Sequence, residues 1–347
     1  MAGHQRKVNA SDANMSQYDA QAWQDIQQWK QRRINGGNRY GLPEVWQQQL
    51  SRAGTLARQG LSALPGADRF EARLIEALRG LADFGARTAS ASVRKSKVVG
   101  AYQKGGHAVR ELADIAHVDL ADIDQVKPRL DVSYIAASTL QGATTGLVGT
   151  GVTAVATGAG VATAGAAAAP GAATIVGAMA VDAAAVMFAS HRVVAHVAAY
   201  YGYDVESPHE RLFALGVLGL GTAAPRAKAA AYIELNRLVQ GLLRGHGVER
   251  LGGNGVARVV QQVYQLLGIR LTKRKLAQAV PLAGVVIGAG LNARMLARVA
   301  DEANYLYRER FLREKYDLVV DVVAEPVTDD ENVVSIVDII DAEIVDE

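Results

Sequence analysis

Apolar residues recur at helical spacing along almost the whole chain, and no convincing alternation of apolar and polar positions precedes the last segment, after residue 318. Tyr18, Ala22, Ile26 and Trp29 fall on one face of a Gln-rich stretch, predicting a first helix that stops before the loop signal Asn35–Gly36–Gly37–Asn38. Pro43 suits a first helical turn, with Trp46, Leu50, Ala53 and Ala57 following at helical spacing. Beyond Leu64–Pro65–Gly66, a stripe of Phe70, Leu74, Leu78 and Leu81 predicts a helix over about 68–88. Further helices fit 92–116 and 209–222. Tyr232, Leu235, Val239 and Leu242 form one later face, and Val256, Val259, Val260, Val263 and Leu267 the next, both reading as amphipathic core helices. A last long helix is expected over about 281–316, burying Met295, Val299, Ala303 and Leu306. Asn292 shares that stripe and would need hydrogen-bond partners there. The predicted fold class is all-α, a multi-helix bundle.

The centre of the chain departs from this amphipathic pattern. Residues 132–181 carry no charge between Asp131 and Asp182, and they are dominated by Gly, Ala and Thr. Pro170–Gly171 divides the run into two helical halves, 140–169 and 171–191, each long enough to cross a hydrocarbon layer. Gly142 with Gly146, and Ala156 with Gly160 and Ala164, match the spacing at which small residues let helices approach closely. A carboxylate at the centre of a lipid-exposed helix costs about 2.5–3.5 kcal/mol, and Asp182 lies near the middle of the second half. Ala178, Asp182, Val186, Ala189 and Val193 share one face, so Asp182 points inward with apolar neighbours. The run is therefore read as a tightly packed Gly/Ala-rich helical hairpin in a largely soluble fold, in preference to one inserted in lipid.

Charge changes the picture because it is unevenly placed. The chain has 37 Lys and Arg against 35 Asp and Glu. All the bases lie before residue 319, whereas residues 319–347 hold acids and no base. Three parts follow: a polar flexible leader at 1–17, a helical domain at 18–318, and an acidic tail at 319–347. Composition predicts disorder for the tail, with folding back onto the basic body as the alternative. The clusters Arg94, Lys95, Lys97 and Lys273, Arg274, Lys275 are the candidate contacts with anions or anionic lipid. Aromatics are not interleaved with them, which ranks nucleic acid below lipid. The absence of cysteine excludes disulfides and thiolate metal sites. The polar start lacks the apolar core of a secretory signal, so the expected location is the cytoplasm, alone or associated with or inserted in the inner membrane.

No catalytic residue, metal ligand or cofactor motif is assigned. His191 and His196 are five apart and do not share a face as paired zinc histidines do. Gly158, Gly160 and Gly165 follow no strand and precede no GK[ST], and Ser190 lacks the GxSxG elbow. Tyr201–Gly202–Tyr203–Asp204 reads as a helix end with Gly202 at the left-handed position. Ser207–Pro208–His209–Glu210 reads as the next helix start, with Glu210 placed for a capping box.

Two stretches carry a family resemblance. GAAAAPGAATIVGAMAVDAAAVMFASHRVVAHVAAYYGYDVESPHERLFALGVLGL and, later, AVPLAGVVIGAGLNARMLARVADEANYLYRERFL resemble the central and carboxyl-terminal blocks of the EcsC protein family. A weaker match, PEVWQQQLSRAGTLARQGLSALPGADRF, extends the resemblance to roughly 20–316. The matching positions are Asp182, Tyr201, Gly202, Asp204, Glu210, Arg211, Asn292, Ala303 and Arg310. The family takes its name from a member encoded beside an ABC transporter, so the resemblance implies a partner such as the membrane surface or an ABC transporter component. It implies no established activity. Together these features predict a noncatalytic accessory or scaffold protein at the cytoplasmic membrane face. The rival readings are a soluble helical module holding an apolar ligand and an unrecognised hydrolase, the latter requiring Asp182, Asn292 and Arg310 to converge on an open pocket.

Overall fold

The computed structural model describes residues 14–35, 93–130, 172–223, 227–243, 255–269, 286–318 and 335–346, with side chains described at all of these except 34–35, 172–184, 243, 286–294 and 345–346. Nine α-helices are described in chain order. They are α1 (Gln17–Lys30), α2 (Lys95–Lys104), α3 (Leu120–Val126), α4 (Ala172–Tyr200), α5 (Pro208–Thr222), α6 (Lys228–Leu243), α7 (255–269), α8 (Val286–Lys315) and α9 (Ile336–Asp346). The all-α prediction holds. The two longest helices, α4 and α8, pack on each other, and α5 packs on both. α6 lies on the far side of α5, α1 lies along α8, and α9 rests on α6.

Each element follows from its sequence. Ser16 caps α1 by accepting the amide of Asp19 at 3.1 Å. The stripe of Ala22, Ile26 and Trp29 is buried as predicted, and Trp29 stacks on Tyr305 of α8 at 4.8 Å. Tyr18, at the stripe's outer end, stays 44% exposed. The full predicted stripe of α7, Val256, Val259, Val260, Val263 and Leu267, is buried. Val299, Ala303 and Leu306 of α8 are buried too. α5 carries LFALGVLGLG, apolar on nearly every face, because α4, α6 and α8 surround it. A Cβ on Gly216 would lie 2.6 Å from Leu235 Cδ1, so this glycine sets how closely α5 and α6 approach.

One expectation is corrected. The helix predicted over 92–116 ends at Lys104, because Gly105–Gly106 follows and Gly106 adopts φ +86°. The remainder forms a 3-10 turn at Leu112–His117, where the Asp114 carboxylate accepts the amides of Arg110 and Glu111 at 2.7 and 3.0 Å. The described part of the acidic tail is the helix α9. α9 docks with Ile336 and Ile340 buried, so residues 336–346 realise the fold-back alternative. The helices predicted over 43–57 and 68–88, the first hairpin half and the Lys273–Arg274–Lys275 cluster lie outside the described residues. Among the described residues no helix is long and apolar enough to cross a membrane.

Candidate functional site

The polar residues of the two motif stretches meet where α4 ends, α5 begins and the second half of α8 passes beneath. α4 closes with paired hydrogen bonds: the amide of Tyr203 donates to Ala198 O at 3.0 Å, and that of Gly202 to Ala199 O at 3.1 Å. This is the Schellman arrangement, and Gly202 takes φ +88° as its sequence position predicts. The turn delivers Tyr201 and Tyr203 onto α8. The loop is tightened by Asp204, whose carboxylate accepts the Glu206 amide at 3.0 Å.

Arg310 is the hub. Its two terminal nitrogens donate to the two oxygens of Glu210 at 2.7 and 2.5 Å, and Nε donates to Glu314 at 2.7 Å. The guanidinium is sandwiched between the rings of Tyr203 and Phe213, 4.3 and 4.6 Å from their centroids. The Tyr203 hydroxyl donates to the second Glu314 oxygen at 2.8 Å. Burial works against the charge on Arg310, but Glu210 and Glu314 outweigh it and hold the group protonated. The predicted capping box at Ser207 is therefore not formed, and Ser207 makes no side-chain cap. Glu210 is taken by Arg310, which offers two charge-assisted bonds where a cap offers one.

Behind this clamp, the Tyr201 hydroxyl donates to Asn304 Oδ1 at 2.9 Å and accepts from Lys127 Nζ at 2.9 Å. Lys127 also donates to Asn304. Asp124 accepts from Arg308 at 2.6 Å and from the Tyr18 hydroxyl at 2.8 Å. Burial, then Asp124, pushes the Tyr201 hydroxyl far above its ordinary range, so it stays a donor. Arg211 donates to Glu206 O at 2.9 Å. Of the basic cluster, Lys95 is occupied within the chain by Asp204 at 2.7 Å and Glu206 at 2.5 Å, whereas Arg94 and Lys97 are exposed.

A second buried polar group lies further along α8. Lys228 donates to Glu302 at 2.7 Å and to the carbonyls of Leu220 and Gly221, capping the end of α5. Burial lowers Lys228 below the usual lysine range, and Glu302 opposes that shift. Nothing in the Ala-rich sequence around Lys228 announces this pair.

Of the trio Asp182, Asn292 and Arg310, only Arg310 has a described side chain; the other two lie outside the described side chains on α4 and α8. Arg310 faces a closed junction in which its partners are charges and rings. Among the described residues no group of three His, Cys, Asp or Glu is placed to hold a metal.

Two histidines of α4 set a pH dependence. Burial, with Arg211 adding to it, lowers His191 to about 4, and burial with Arg192 lowers His196 to about 4. Their folded pKa values lie below the unfolded one, near 6.5, so the unfolded chain gains protons first on acidification. Stability is full above pH 6.5 and falls as the pH approaches 4. For His191 alone the loss is about 2 kcal/mol by pH 5. Urea midpoints between pH 7 and 5 should drop steeply, and His191→Gln should flatten the profile; equal slopes would remove His191 as the cause.

Comparison with known proteins covers the same part of the chain. Residues 155–312 match the model of the EcsC protein family. The chain is 31% identical over 206 residues to "Uncharacterized protein YdbA" of Bacillus subtilis (strain 168), an alignment spanning 59% of this chain and 63% of that protein. No solved structure gives a significant match. The matched range runs from the central glycine-rich run through α8 and contains both halves of the Glu210–Arg310 clamp.

Proposed function

We propose that the protein, whose residues 155–312 match the EcsC family model, is a noncatalytic helical accessory or scaffold that works at the cytoplasmic face of the membrane. The observation that carries the reading is the closed clamp at Arg310. The motif residues Glu210 and Arg310, with Tyr203 beside them, spend their polar groups on one another and on Glu314. A reactive site would leave a nucleophile, a base or an oxyanion donor facing a substrate. Here the same residue types lock three chain segments together, which suits a rigid body that presents surfaces.

Charge supports the membrane face. The basic body carries exposed Arg94 and Lys97 at the start of α2, and such side chains contribute about 1 kcal/mol each near an anionic leaflet. The proposed attachment is peripheral, so membranes from cells making this protein should release it on washing with high salt. The purified chain should float with vesicles containing anionic lipid and not with neutral vesicles. Arg94→Gln with Lys97→Gln should weaken that binding by about 30-fold. A wholly soluble pool that ignores anionic vesicles would sink the membrane-face reading and favour the module that holds an apolar ligand.

A further inference from the structure

The acidic helix α9 is too short to persist by itself. Isolated helices below ~12–15 residues are marginal in water, and α9 has 11 residues. The surface beneath it therefore holds it in shape. That surface is formed by α6 and α7 and combines apolar contact with two arginines. Ile336 and Ile340 of α9 are buried one turn apart. Asp338 lies 3.6 Å from Arg237 of α6, and Glu343, itself buried, pairs with Arg258 of α7. Arg237 is steadied from behind by Glu234 of its own helix, at 2.8 Å, and Asp341 adds to the negative field it feels. The surface thus reads a pattern: apolar residues at i and i+4, and acids at i+2 and i+7.

We propose that the α6–α7 face is a docking site for an acidic amphipathic helix, occupied within the resting chain by α9 and open to a partner helix of the same pattern when α9 leaves. The occupant's chemistry is visible in α9 itself. Ile336 and Ile340, the partly buried Val337, Ile339 and Ile344 and two ion pairs hold it in place. Because α9 belongs to the same chain, its local concentration is high and a partner must outcompete it. The biological use of this site rests on the scaffold reading above, but the site can be tested separately.

The probe is a fluorescent peptide of residues 331–347, titrated against the full chain and against the full chain carrying Ile340→Asp. The variant should expose the α9 amides to hydrogen exchange while keeping the helical circular dichroism of the body. It should bind the peptide at least roughly tenfold more tightly than the parent, because the competitor in cis is gone. Adding Arg237→Glu with Arg258→Glu should abolish the gain. If the α9 amides stay protected in Ile340→Asp, Asp338→Lys with Glu343→Lys reverses both ion pairs; protection in both variants would overturn the proposed contacts. Equal binding by parent and released chain, no binding by either, or indifference to the arginine reversal would overturn the site. A released chain that gains anionic vesicles but not the peptide would assign the arginines to lipid and overturn it as well. Peptide exchange without vesicle binding would remove only the membrane-face reading, and vesicle binding without peptide exchange would remove only this inference.

Discussion

Arg310→Met should lower the stability of the folded chain by about 1–3 kcal/mol, the range for leaving a partly buried charged partner unsatisfied. The cost is not the lost attraction alone. Glu210, whose side chain is 15% exposed, would be left in the first turn of α5 with no cation to meet it. Glu314 is more exposed and can turn to water, so it should contribute little. The double variant Arg310→Met with Glu210→Met should therefore recover part of the loss, since it removes the stranded carboxylate. Urea unfolding of the four proteins in this cycle measures the coupling directly. A single variant that loses less than about 1 kcal/mol would mean that the clamp is a surface pair, and the scaffold reading would lose its main support.

Gly202→Ala should cost about 3 kcal/mol, for two reasons that act together. The residue sits at φ +88°, where a side chain meets strain of order 1–3 kcal/mol. Its Cβ would also stand 2.8 Å from Leu112 O and 3.2 Å from Ile115 Cβ. A backbone carbonyl cannot rotate aside as a side-chain tip can, so the 3-10 turn would have to move. Gly219→Ala is the matched control, because nothing lies within 4 Å of its Cβ and it sits inside α5. That substitution should leave stability unchanged or raise it by about 0.5–1 kcal/mol. If Gly202→Ala matches the control in urea midpoint, the Schellman turn does not fix the junction.

Much of the helical architecture is legible without coordinates, for a local reason. Periodic apolar stripes mark which face is buried whatever lies opposite, and so α1, α7 and the second half of α8 are read correctly from Trp29, Val263 and Val299. Helix ends are legible where a backbone requirement is local, as at Gly202. The same logic fails over 92–116, where the apolar spacing continues through Gly105–Gly106 and hides the break. It fails at Ser207 and Glu210 because a capping box and half of an ion pair use the same residue types, and sequence spacing alone does not reveal that Arg310 competes for the carboxylate. In the tail, Pro326 and the Asp329–Asp330–Glu331 cluster argue for disorder, while the spacing of Ile336 and Ile340 is too short a signal to outweigh them.

The sequence by itself determined the all-α class, the resemblance to the EcsC family, the left-handed glycine after α4 and the separation of basic body from acidic tail. Each of these is a property of composition or of neighbours along the chain. Only the tertiary structure decided that Glu210 belongs to Arg310, Asp204 to Lys95, Lys228 to Glu302 and the last helix to Arg237 and Arg258. Those choices depend on which charges become close once apolar faces are buried. A buried charge costs too much to leave unpaired, so packing selects its partner from residues far away in the sequence.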